Sequence, residues 1–177
     1  MSGDIIQIGD EVLRERAKPV AKKDITGPKV KALISRMKKA LAHEKYGVAI
    51  AAPQLGESLR IFVVSGRAFE KEGDKDKNYQ DKAYINPRIT RRSKKKKEMS
   101  EGCLSVRGKY GLVLRHEKAS LDALDETGKP VHLHAGGLLS QIFQHEIDHL
   151  EGILFVDKSH HLEDWNESKA TEDSSKL

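Results

Sequence analysis

Two histidines four positions apart, His145 and His149, lie in the segment QHEIDH, inside a stretch that reads as one helix from about Leu138 to Leu150. At about 3.6 residues per turn this spacing puts both imidazoles on one face. Glu146 lies about 100° further round, so it can approach the same site without taking either histidine's place. Gly136 and Gly137 precede the helix and Gly152 stops it. Two imidazoles so placed suit a zinc-like or ferrous ion, and the glutamate between them can take a proton from water that the metal activates. The competing reading is a pair of packed, hydrogen-bonded histidines with Glu146 in solvent.

Around that helix the chain reads as α+β: a single domain of short antiparallel strands around a central metal-binding helix, with a second, N-terminal helix packed outside. Its 177 residues suit one core. Pro28 to Glu44 is the outer helix. Pro28 suits a first turn, and Val30, Leu33, Ile34, Met37, Ala40 and Leu41 recur at helical spacing. Asp10 is placed to cap a short helix to about Ala17, which Pro19 ends. Leu59 to Val64 reads as a buried strand and Tyr84 to Pro87 as a short one. Lys118–Leu124 and Val131–Ala135 form a hairpin across Asp125–Gly128. Ile153–Val156 is expected as a last short strand. Ala68–Asp81 and the basic run 91–97 read as surface loops. The domain is placed at residues 1–160. Residues 161–177 are expected as a polar C-terminal tail, with Leu162 and Trp165 docking and 170–177 frayed.

Two histidines leave a tetrahedral catalytic site one protein ligand short. Cys103, in EGCLSV, is the single cysteine and the leading candidate, set against the alternative of a buried inert thiol. His132 and His134, on one face of the expected return strand, are the substitutes. His116, His160, His161 and Asp157 are weaker, and Asp148 points away from the His145–His149 face. A third piece is the segment GVAIAAPQ at 47–54. Small residues let a substrate backbone approach closely, and the Gln54 amide can donate to a developing oxyanion. Composition alone suits a tightly packed turn equally well. The lysine and hydroxyl residue of a phosphate-binding loop are missing.

Taken together and in this order, GVAIAAPQ at 47–54, EGCLS at 101–105 and QHEIDH at 144–149 resemble the three motifs of the peptide deformylase family. The second and third match in full. The likeness runs from the Asp10–Pro19 arm to about Asp157 and takes in Asn86-Pro87, the Asp125–Pro130 turn and Gly137-Leu138-Leu139. It implies that Cys103, His145 and His149 hold one divalent metal ion. Fe2+ is expected as native, with Zn2+, Ni2+ or Co2+ in preparations. It implies Glu146 as general base and then general acid, and Gln54 with the Leu104 backbone N–H as stabilisers of the formyl oxygen. It places the substrate against Gly47, Val48, Ala49, Gly102 and Arg115. The substrate it implies is the N-formyl-methionyl end of a nascent polypeptide, and the products are formate and a free amino terminus. A thiolate ligand also makes an iron site prone to oxidation.

The chain departs from the family pattern at Ala49, where a second glycine is usual, and at Arg107, where a proline is usual. The Ala49 methyl is placed to crowd a substrate backbone. Arg107 loosens the turn and brings charge to the cleft rim. The loop from Arg67 to Asp81 looks longer than in compact bacterial members, and the C-terminal tail shorter. Two other functions fit parts of the pattern: an HExxH metallopeptidase, against which EGCLS argues, and a catalytically weak metal-binding, ribosome-associated homologue, against which Glu146 and Gln54 argue.

Charge adds a partner. The formal net charge is +5, with its strongest run at Arg91-Arg92-Ser93-Lys94-Lys95-Lys96-Lys97. The plain reading is an exposed basic loop; the functional one is contact with a ribosome, RNA or another acidic surface. No aromatic residue interleaves the run, so base stacking is not expected there. One cysteine makes no internal disulfide, no apolar stretch approaches about 20 residues, and the first residues lack a signal core. No DNA or membrane partner is expected, and the cytoplasm is the expected compartment.

Overall fold

The computed structural model describes residues 5–70 and 79–164. Helix α1, Pro28–Ala42, starts on its proline and buries Val30, Leu33, Ile34, Met37, Ala40 and Leu41, as the periodicity predicts. Strands follow at β1 (Ala49–Ala51), β2 (Ile61–Val64), β3 (Lys82–Arg92), β4 (Lys96–Cys103), β5 (Val106–His116), β6 (Lys118–Leu124) and β7 (Pro130–Gly136). Helix α2, Gly137–Leu150, comes next, then a helical turn α3 (Phe155–Lys158) and strand β8 (His161–Asp164). The strands form an antiparallel sheet of order β1-β2-β3-β6-β7 and a smaller one of order β4-β5-β8.

Strand alternation sorts the core into two layers. Ile61 and Val63 of β2 face α1, together with Ile50, Ala83 and Ile85. Phe62 and Val64 face α2 and pack with Tyr84, Leu121, Ile142, Phe143, Ile147 and Leu150. The apolar run of β2 is therefore buried on both faces, with a helix on each side of the sheet. The hairpin β4–β5 covers the opposite side of α2, where Leu13, Val106, Val113, Leu154 and Phe155 form a third cluster. So α2 lies between the two sheets, and Ser140, Gln144, Glu146, Asp148 and His149 on it are buried.

Several expectations are corrected. β3 runs eleven residues instead of four. It passes Pro87 through a bulge between Ile85 and Arg88, with Asn86 at φ +51°. Asn86 secures that bulge: its Oδ1 accepts from Val20 N–H at 2.8 Å and its Nδ2 donates to Val20 O at 2.9 Å. The basic run is mostly strand: Arg91 and Arg92 end β3, Lys96 and Lys97 begin β4, and only Ser93–Lys95 cross between sheets. Charge does not oppose a strand whose side chains project outward while the backbone pairs with β6 and β5. The helix after Asp10 is a single 3₁₀ turn, Glu11–Arg14, capped as expected by Asp10 Oδ1 accepting from Val12 N–H at 3.0 Å.

The segment around Ile153–Val156 turns helical instead of extended, because Asp157 Oδ2 accepts from Leu154 N–H at 2.9 Å and starts the turn. At the start of the expected polar tail, β8 pairs with the open edge of β5, Leu112↔His161 to Lys109↔Asp164. Leu162 remains about half exposed, at 48%. Trp165, the frayed end expected at 170–177 and most of the loop expected between Arg67 and Asp81 lie outside the described residues.

Candidate metal centre

β4 ends at Cys103, on the face of the small sheet that meets α2. Residues two apart on a strand share a face, so Glu101 points the same way as Cys103. From α2, His145 and His149 face them. Ligand atoms of Cys103, His145 and His149 lie within 4.8 Å of one another, a group of three brought together from the two matching motifs. His149 Nε2 is 3.2 Å from Cys103 Sγ. His145 Nδ1 pairs with Glu101 Oε2 at 2.9 Å, which leaves its Nε2 turned to the site.

The substitute ligands are elsewhere. His132 Nδ1 pairs with Asp122 at 2.8 Å and His134 Nδ1 with Ser120 Oγ at 2.7 Å, both on the outer face of the large sheet. His116 Nδ1 pairs with Ser93 O at 2.6 Å. Asp148 does point away from the histidine face, toward Arg115 and Lys158.

The charges around the ligands are arranged in layers. Arg115 is 3% exposed and forks onto Glu101, Nε–Oε1 at 2.6 Å and Nη2–Oε2 at 2.9 Å, while Nη1 reaches Asp148 Oδ2 at 2.6 Å. Burial opposes a charge on Glu101, but the bonds from Arg115 and His145 outweigh it and hold its pKa at about 2. This corrects the expected substrate contact of Arg115. Its guanidinium is spent on two buried carboxylates behind the ligands, and it does not line the cleft. Burial also disfavours charge on His145, yet Cys103 and Glu101 reverse the balance and raise its pKa well above the usual value. Burial, reinforced by the charge on His145, keeps His149 well below it.

Glu146 is 3% exposed, and its Oε2 is buried with no hydrogen-bond partner among the described residues. Burial pushes this carboxyl up to about 7, against the opposing pull of His145. A buried carboxyl with one idle oxygen, beside a thiol and two imidazoles, is a group kept for a ligand or a proton. One thiolate and two imidazoles with a position left over fit a zinc-like or ferrous divalent ion, so the donor set agrees with the metal that the resemblance implies.

A cleft of about 780 Å³ opens above these groups. One wall is Glu44 to Ala49 with Gln54, the other the β4–β5 hairpin from Ser100 to Tyr110, and the base is Leu138, Gln141, Ile142, His145 and Glu146 of α2. Gly47, Val48, Ala49, Gly102 and Leu104 all line it. At Gly47 an added Cβ would lie 3.0 Å from Glu44 Cβ and 3.1 Å from Leu104 Cδ1, so that glycine lets the two walls close on each other. Gln54 is 1% exposed; its Oε1 accepts from Ala51 N–H at 2.8 Å, which fixes the amide so that Nε2 donates to Ser105 Oγ at 3.0 Å and faces Cys103 Sγ at 3.7 Å.

Two participants escape a reading of the sequence. The role of Glu101 was available in the spacing Glu-x-Cys on a strand, had β4 been recognised. The bidentate pair of Arg107 with Glu44, at 2.8 and 3.4 Å, joins segments 63 positions apart and has no local signal.

Residues 3–165 match the family model described as polypeptide deformylase. A peptide deformylase of Halothermothrix orenii is 45% identical over 154 residues, which is 87% of this chain and 91% of that protein. One of Symbiobacterium thermophilum is 39% identical over 98% of this chain and 74% of its own length. Among solved structures, a peptide deformylase of Synechococcus elongatus in complex with actinonin superposes with TM-score 0.75 at 33% identity, covering 98% of this chain and 84% of its own. A Met-Ala-Ser-bound class I type b peptide deformylase of Acinetobacter baumannii gives TM-score 0.77 at 32% identity, over 87% and 96%. The likeness thus spans both walls of the cleft, the ligand set and the sheets that carry them, and on that evidence the chain is a metal-dependent hydrolase that belongs to the peptide deformylase family.

Proposed function

We propose that this enzyme removes the formyl group from N-formyl-methionine at the amino terminus of nascent polypeptides and releases formate. The observation that carries the reading is the idle, buried Glu146 carboxyl beside the Cys103–His145–His149 ligand set. Its pKa near 7 suits a group that must both accept and return a proton at neutral pH.

Cys103, His145 and His149 would hold a divalent ion, which when bound supplies a Lewis acid that activates water near neutral pH. Fe2+ is our assignment for the native ion, with Zn2+, Ni2+ or Co2+ able to occupy the same donors. Glu146 takes the proton as water adds to the formyl carbon and delivers it to the departing amine, whose N–C bond breaks as formate leaves. Gln54 and the Leu104 backbone N–H are the donors we assign to the developing oxyanion. Gln54 has the right amide end turned to the site: its second N–H meets only the Cys103 sulfur, at 3.7 Å, and a substrate oxygen is a better acceptor.

β1 and β4 are each the edge strand of their sheet, and both border the cleft. An extended peptide can add to such edges, and its backbone would run along Gly47, Val48, Ala49 and Gly102. The Met-Ala-Ser tripeptide named with the Acinetobacter baumannii structure is the kind of chain this requires. No helix among the described residues is long and apolar enough to cross a membrane. We place the enzyme in the cytoplasm, with the basic segment 91–97 turned to the ribosome. The decisive assay is formate release from formyl-Met-Ala-Ser beside acetyl-Met-Ala-Ser, with enzyme purified anaerobically and its metals counted. Turnover of the formyl peptide alone is expected; equal turnover of both, or of neither, contradicts the reading.

A further inference from the structure

We infer that the surface where the end of β3, the start of β4 and the start of β6 meet is a docking face for the phosphate backbone of double-stranded RNA. Only the choice of RNA as partner rests on the co-translational reading above. Arg91 and Arg92 close β3, Lys94 sits in the crossing turn, Lys96 and Lys97 open β4, and Lys118 opens β6. All six are exposed. None has a carboxylate partner among the described residues, because the acids nearby are engaged with others. Glu117 pairs with Lys95 at 3.0 Å, Asp122 with Arg88 at 3.2 Å and Glu98 with His160 at 2.8 Å.

The backbone that carries these cations is held in place. Ser93 N–H donates to Lys118 O at 2.9 Å, and Ser93 Oγ accepts from Lys118 N–H at 3.0 Å and donates to Lys95 O at 2.8 Å. His116 Nδ1 holds Ser93 O at 2.6 Å, and Glu117 N–H donates to Lys95 O at 3.1 Å. A solvated loop would let like charges spread apart; this turn keeps them together against their mutual repulsion. Beside them lies a depression lined by Arg91, Arg92, Lys118, Ser120 and His134, a set of cations and hydrogen-bonding groups with no carboxylate.

The chemistry of the face selects the partner. No large hydrophobic side chain is exposed on β3, β6 or the turn between β3 and β4, so nothing there inserts into a bilayer. No aromatic ring stands among the cations, so nothing stacks on bases. What is left is an array of cations on a paired backbone that meets phosphates by charge and shape, which is how duplex RNA is held. Five residues of β4 lie between Lys97 and Cys103, six steps or about 20 Å of extended strand, and the nearest cleft residue, Ser100, is about 10 Å along, so RNA on this face leaves the metal ligands clear.

The test is fluorescence anisotropy of the metal-loaded full chain with a labelled 16-base-pair RNA duplex, from 50 to 200 mM KCl. With four to six phosphates neutralised, affinity should fall by about 100-fold or more over that range. The triple variant Lys94→Gln, Lys96→Gln, Lys97→Gln should lower the salt slope by about 3. A control of equal charge change, Lys22→Gln, Lys23→Gln, Lys29→Gln, should leave it nearly unchanged. Equal losses in both triples, no duplex binding at 50 mM KCl, or tighter binding to phosphatidylserine vesicles than to RNA would overturn the proposal. So would loss of formyl-Met-Ala-Ser turnover in the first triple, since the face would then not be separate from the site. RNA binding by a protein that releases no formate would support this face and count against the deformylase reading alone.

Discussion

Glu101 Oε2 stands 2.9 Å from His145 Nδ1, two residues along β4 from the sulfur that completes the same ligand set. One short stretch of strand thus supplies a ligand and the group that orients another. Arg115 fixes Glu101 from behind, so the orientation of His145 is set by a chain of buried ionic bonds. Glu101→Gln keeps the shape and removes the charge. Metal affinity is expected to fall about 10- to 100-fold, the usual effect of losing such an outer partner. Metal retained per protein after dialysis against graded chelator measures it, and unchanged retention would show that Glu101 does not tune the site.

The same carboxylate predicts an acid limb in the stability of the metal-free protein. Glu101 is held at about 2 in the fold, below the ordinary range of about 4.3 for an unfolded glutamate. A depressed carboxyl contributes stability that is complete above its unfolded pKa and is lost as pH falls through the folded one. The contribution, on the order of 3 kcal/mol, should therefore disappear between about pH 5 and pH 2. Urea unfolding of metal-free protein across that window should show a steeper acid loss in the wild type than in Glu101→Gln. Parallel curves would contradict it.

Glu146→Gln separates binding from chemistry. Glu146 is not among the three grouped ligands, so the variant should retain metal. Without a proton carrier, turnover should drop by about 10²- to 10⁴-fold. Stoichiometric metal with near-normal formate release would remove Glu146 from the mechanism.

The parts of the site that were legible in the sequence are those fixed by local geometry. His145, Glu146 and His149 follow from helical period, and their helix from its glycine borders. The hairpin of β6 and β7 follows from its turn, where Asp125 Oδ1 accepts from Thr127 and Lys129 N–H. What was not legible depends on partners remote in sequence. Arg115 looks like a substrate contact until Glu101 and Asp148 are seen to enclose it. The basic run looks like a loop because charge patterning says nothing of the backbone pairing that β5 and β6 supply. β8 has too few apolar residues to announce itself and is recruited by an open sheet edge.

Ala49 shows how position overrides composition. A methyl at this point of the wall looks like an obstruction to the substrate. In the fold it belongs to the core cluster of Ala51, Phe62, Val64 and Ile142 and is 9% exposed. Ala49→Gly should therefore leave KM for formyl-Met-Ala-Ser within about twofold and destabilise the protein by about 1 kcal/mol, the usual scale for glycine inside a regular element. A several-fold gain in kcat/KM would show that the methyl does meet the substrate.

Tyr84 carries the opposite expectation. Its ring packs on Phe62 and Phe143, with centroids 5.2 and 6.0 Å away, and is 2% exposed. The hydroxyl is buried with no hydrogen-bond partner among the described residues, and burial raises its pKa to about 12. An unpaired buried hydroxyl costs about 1–3 kcal/mol of desolvation that phenylalanine does not incur. Tyr84→Phe preserves the ring contacts and should raise stability by about 1 kcal/mol, with metal content and turnover unchanged, since Tyr84 does not line the cleft. The gain should grow above about pH 10, where an unfolded tyrosine ionises and the buried one does not. Thermal melts of the two proteins at pH 7 and pH 11 measure both effects. A lower Tm for Tyr84→Phe would mean that the hydroxyl has a partner, most simply a buried water, and that the side chain serves the core through a bond as well as through its ring.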